Sequence, residues 1–86
     1  MPELSRFFGI IIRMYYDDHP PPHFHAIYGD QEIQVSIDPI MILNGRLPRR
    51  AISMVLEWTA IHQQELMANW HLLNEDRPLR RIEPLE

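Results

Sequence analysis

Cysteine and lysine are both absent from this chain. Without thiols there can be no disulfide, no zinc–thiolate site and no thiol nucleophile, which fits a reducing cytoplasm. All eight basic residues are arginine, so every cation is a planar fork suited to phosphate or carboxylate. A genome rich in arginine codons would give the same bias. No apolar run approaches the roughly 18 residues of a membrane span. The opening Met-Pro-Glu-Leu-Ser-Arg lacks a basic stretch followed by an apolar one, so neither a membrane segment nor a signal peptide is expected. The net charge of −4 excludes a general attraction to nucleic acid.

What is present describes one small cytoplasmic domain over residues 1–86. At 45% hydrophobic and 23% charged, the composition is that of a folded protein. A chain this short buries little surface, and a partner subunit, homo-oligomeric or otherwise, would help it.

The densest stretch is Tyr16-Asp17-Asp18-His19-Pro20-Pro21-Pro22-His23-Phe24-His25. Three successive prolines remove three backbone donors and exclude helix or central strand, so polyproline II is expected there. Around it, Arg6 to Tyr16 is rich in β-branched and aromatic residues and reads as one strand, with Phe8, Ile10, Ile12, Met14 and Tyr16 facing the core. His23 to Tyr28 reads as a second strand, and Gly29-Asp30-Gln31 as a turn. Glu32 to Asp38 alternates as a third, and Ile40 to Leu43 is a fourth strand or a crossover. From Pro48, suited to a first helical position, one amphipathic helix is expected over 48–74. The Pro-interrupted tail over 75–86 is expected to return as an edge strand or to reach a neighbour. The fold class is therefore α+β. A small antiparallel sheet of three to four strands, over 6–45, carries one long helix packed on one face.

Three groups can carry chemistry. His23 and His25, at i and i+2, share one face of a strand and can chelate a divalent metal, with His19 or Asp18 as third ligand. Alternatively, the imidazoles cap the turn, or work as acid and base. His62, Glu65 and Asn69 fall at i, i+3 and i+7 inside the apolar arc of the helix, where polar groups need partners. Either they meet the turn histidines in one composite pocket, with Glu65 orienting an imidazole, or the helix outruns the sheet and its last turns are solvated. Arg46, Arg49 and Arg50 crowd the helix N-terminus against the macrodipole, where a bound phosphate or other anion would relieve them. Solvation or pairing with carboxylates would do the same.

Ser5-Arg6-Phe7-Phe8-Gly9-Ile10, Tyr15-Tyr16, Asp18-His19-Pro20-Pro21-Pro22-His23-Phe24-His25-Ala26, Tyr28-Gly29, Leu47-Pro48, Glu57-Trp58, Glu65-Leu66, Asn69-Trp70 and Ile82-Glu83-Pro84-Leu85 together resemble the small bacterial domain of unknown function numbered 4160. The resemblance implies no assigned activity. It implies a short free-standing protein with a small partner protein, in an arrangement similar to toxin–antitoxin pairs, with operator DNA or RNA as a further partner. The expected function is a non-enzymatic interaction or regulatory module. The alternative is a small hydrolase acting on RNA, dependent on histidine or on a divalent metal. In it His23 and His25 are acid and base or metal ligands, His19 or His62 assists, Glu65 orients and Arg49 holds phosphate.

Overall fold

Period-two alternation builds the first half of the chain into a sheet with one apolar face. The computed structural model describes residues 3–86. It contains β1 (Glu3–Phe7), β2 (Ile10–Arg13), β3 (His23–Tyr28), β4 (Gln31–Ile37), β5 (Ile40–Gly45), α1 (Arg49–Ile61) and α2 (Gln63–Asn74). The strands form one antiparallel sheet in the order β1-β2-β3-β4-β5. Ile10, Ile12, Phe24, Ala26, Ile33, Val35 and Ile37 are fully buried on the face covered by the helices. Trp58 of α1 lies at the centre of that contact, its ring 5.5 Å from Phe7 and 5.8 Å from Phe24.

The α+β class holds, with two corrections. The sheet has five strands, not three or four, because the run expected as one strand over 6–16 folds back on itself. Phe8 and Gly9 take positive φ, 50° and 82°, and form a two-residue hairpin that pairs Phe7 with Ile10. Consequently Phe8 is exposed, and Tyr16 is exposed because β2 ends at Arg13, while Ile10, Ile12 and Met14 keep the core positions expected for them. The helix expected over 48–74 is two helices, separated at His62, whose φ −112° and ψ 23° leave the helical region. No proline or glycine marks the break. It coincides with a tertiary tether: Gln63 Nε2 donates 2.7 Å to the Ile37 carbonyl at the end of β4. Ile61, the last residue of α1, is largely exposed.

The tail folds back onto its own chain without becoming a strand. Asn69 is buried in α2 and clamps it at both backbone groups of Arg80, receiving the Arg80 N–H at 2.8 Å and donating to its carbonyl at 2.9 Å. Ile82 then donates its N–H to the Leu4 carbonyl of β1 at 2.8 Å, and Trp58 Nε1 donates to the Glu83 carbonyl at 2.8 Å. No helix is long and apolar enough to cross a membrane among the described residues.

At the end of β5 the chain must turn sharply into α1. Gly45 does this with φ +96°, and a Cβ there would lie 2.2 Å from the Glu32 carbonyl oxygen of the neighbouring strand. Rigid backbone cannot yield as a side chain would. Gly45→Ala is therefore expected to cost about 2 kcal/mol or more by combined clash and left-handed strain. Urea unfolding measures this, and a midpoint equal to that of the wild type would contradict the packing.

Candidate functional site

Strand pairing places the histidines. His23 and His25 alternate with Phe24 and Ala26 on β3, so they project from the face opposite the core. They are nonetheless buried, because the β2–β3 connection from Met14 to Pro22 folds over that end of the sheet. The connection bends at Pro20 and Pro21, where an extended polyproline segment was expected.

Each imidazole is held through Nδ1, and His25 is bonded through Nε2 as well. His23 Nδ1 donates to the Pro21 carbonyl at 2.8 Å, and His25 Nδ1 donates to Glu32 Oε2 at 2.7 Å. In the tautomer that carries its one proton on Nδ1, an imidazole presents Nε2 as a lone pair. Both Nε2 atoms point at one carboxylate. Asp18 Oδ2 lies 3.2 Å from His25 Nε2 and 3.7 Å from His23 Nε2. Asp18 is itself fixed by the Tyr15 backbone N–H, which donates to Oδ2 at 3.1 Å, while Asp18 N–H bonds back to the Tyr15 carbonyl. The ring of Tyr15 stands edge-on to His25 at 4.6 Å, and Trp70 of α2 lies 5.5 Å from His23.

The donor atoms of Asp18, His23 and His25 thus all lie within 4.8 Å of one another. Tetrahedral zinc with ligand bonds near 2.0–2.1 Å places its ligands about 3.3 Å apart, close to the separations from Asp18. Two lone pairs and a carboxylate facing inward repel unless a cation lies among them, either a proton or a metal ion. The partners on the outward nitrogens, a carbonyl and a carboxylate, are those that orient metal-bound histidine. Beside Asp18 and His23 opens a cavity of about 450 Å³, walled also by Asp17, His19, Pro20, Pro21, Gln34 and Leu43.

Of the two third ligands read from the sequence, Asp18 is the one whose oxygen converges with the imidazoles; His19 is exposed on the cavity wall. His62 and Glu65 bond each other, Nδ1 to Oε1 at 2.5 Å, and His62 packs on Trp58. The helix residue that touches a turn histidine is Trp70, and Asn69 is occupied by Arg80. Arg46, Arg49 and Arg50 are exposed, with no ion-pair partner among the described residues. Arg50 lies near Tyr28, at the far end of β3 from His23, about 17 Å along the strand at 3.4 Å per residue. The roles of Glu32, Tyr15 and Trp70 were missed. Glu32 sits on the polar face of its strand, and only the antiparallel register, which pairs His25 with Gln34, brings it beside His25.

The site also perturbs Tyr15. Burial foremost, then the nearby charge of Glu32, holds its phenol above the ordinary value of 10.0. The neutral form is favoured in the folded state, so the associated stability is full below pH 10 and is lost as pH rises through the folded pKa. Unfolding monitored from pH 9 upward should show that loss, and Tyr15→Phe should flatten it. An unchanged slope in Tyr15→Phe would assign the loss elsewhere.

No curated protein and no solved structure matches the chain. A family model does match, over residues 9–71, which takes in β2 to β5, the histidine turn, all of α1 and most of α2. On that match, which includes Asp18, His23 and His25, the chain belongs to the family described as a domain of unknown function (DUF4160).

Proposed function

We infer that this protein is a small metal-dependent hydrolase, with one divalent ion held by Asp18, His23 and His25. The observation that supports this reading is the convergence of three ligand atoms whose imidazoles are anchored at the opposite nitrogen. Three protein ligands leave a position for water, the pattern of catalytic rather than structural zinc. Such an ion supplies a Lewis acid and a bound water that ionises near pH 7. The protein's own contribution is orientation. Pro21 and Glu32 fix the two imidazoles, Tyr15 fixes Asp18, and His19 and Asp17 on the cavity wall can accept the proton released by the water. RNA is the substrate class read from the sequence. On the cavity wall the ion would stand beside Asp17 and Asp18.

A second reading, the interaction module resembling a toxin–antitoxin component, is favoured by β5. This strand ends the sheet and carries no charged residue from Ile40 to Gly45, with Met41 51% exposed. Edge strands usually carry charge to prevent pairing, and one without it can accept a strand from a small partner protein or a second copy.

Metal analysis of the untagged protein, with titration of Zn²⁺ and Mn²⁺, tests the first reading. One ion per chain is expected, with a melting temperature that falls in EDTA. Glu32→Gln should weaken binding about 10–100-fold by releasing His25, and His23→Asn with His25→Asn should abolish both metal and hydrolysis. No stoichiometric metal would rule out the metal-dependent reading. For the second, Met41→Lys should abolish association through β5 in light scattering or partner titration; unchanged association would remove β5 as the interface.

A further inference from the structure

We propose that the groove between the β1–β2 turn and the start of α1 binds single-stranded nucleic acid, bases stacking on Phe8 and Tyr28 and phosphates held by Arg46, Arg49 and Arg50. This site is separate from the histidine cluster and does not depend on it.

Phe8 is the first sign. It occupies the leading position of a two-residue hairpin with φ 50°, where asparagine or glycine is the ordinary choice. A bulky residue at positive φ is an outlier. The ring is also 62% exposed. The hairpin therefore carries a large aromatic side chain that neither suits its backbone nor fills the core. Tyr28, 40% exposed, lies against the same turn: a Cβ on Gly9 would come within 3.1 Å of its ring. Together with Pro48, Arg50, Ala51 and Met54 these two rings wall an open groove of about 410 Å³.

The charge around this groove differs from that of the rest of the chain. Elsewhere Arg6, Arg77 and Arg81 each pair with a carboxylate, Glu3 or Glu75, while Arg13 and Arg80 stand singly, one on β2 opposite His25 and one on the tail against Asn69. Arg46, Arg49 and Arg50 have no such partner among the described residues, and the first turn of α1 contains no acidic side chain. Asp30, on the turn after Tyr28, and Glu32, opposite Ile27, are fewer than the three arginines, so this end is net positive in a chain whose total is −4. Cations and aromatic faces together are what single strands use: charge tracks the backbone, and unpaired bases stack without regard to sequence. A duplex hides its base faces and would use only the charge.

The test is fluorescence anisotropy with labelled oligothymidylate at several salt concentrations between about 50 and 200 mM, in EDTA so that the histidine site cannot contribute. Binding is expected to be salt-dependent and weaker for a duplex of equal length. Phe8→Asn suits the turn backbone, so the melting temperature should hold or rise while affinity falls about tenfold. Arg49→Ala with Arg50→Ala should weaken binding and lower the log–log salt slope by about 1.4. The proposal is overturned by no binding, by equal binding of the duplex or of an acidic peptide, or by wild-type affinity in both variants.

Discussion

The two-residue period of β3 is the constraint on which both the core and the site depend. Phe24 and Ala26 face the helices and are fully buried; His23 and His25 face the other way. A slip of one residue against β2 or β4 would put imidazoles into the core and Phe24 outside. The register is secured on both sides, by Ile12 opposite Ala26 and by Val35 opposite Phe24. The hydrophobic effect that seats Phe24 beneath Trp58 therefore also aims the histidines. Removing a buried aromatic of this size costs about 3–5 kcal/mol, far more than the hydrogen bonds of the site can offset, so the core dictates the site and not the reverse.

The helices and tail complete this arrangement from the other side. Trp58 packs on Phe7 and Phe24 with its rings and holds the Glu83 carbonyl with its indole N–H. Asn69, one turn before Leu73, uses its whole amide on Arg80. The tail so placed runs beside β1, and Ile82 meets Leu4. One edge of the sheet is thus attended by the chain itself, and β5 forms the other. Trp70 of α2 also reaches the start of β3, where its ring lies 5.5 Å from that of His23.

Charge is divided along β3. At the His23 end lie Asp18, between the two Nε2 atoms, and Asp17 on the cavity wall, while Glu32, opposite Ile27, reaches back along the strand to His25. At the Tyr28 end lie unpaired arginines and exposed rings. A cation suits the first and an anion the second. A net charge of −4 conceals this separation, because it is a sum over a surface whose two ends differ in sign.

Alternation from Ile10 to Met14 and from Ile33 to Ile37, and the heptad-like spacing of Ala51, Val55, Trp58 and Leu66, determined by themselves the α+β class, the core and the face on which the histidines stand, because local periodicity records which side of an element is dry. The turn at Phe8-Gly9 was hidden, since an apolar residue stands where a hairpin usually shows asparagine and the glycine lies inside an otherwise continuous β pattern. The break at His62 carries no local mark, because it accompanies a bond between Gln63 and a strand 26 residues earlier. The same distance in sequence explains the site. The Asp18–His–Pro–His segment could be located from residue types alone. Only the folded sheet could choose Asp18 over His19, bring Glu32 behind His25, keep His62 with Glu65 and set the arginines at the opposite end of β3, because those outcomes depend on strand register and chain direction, which no neighbouring residue encodes.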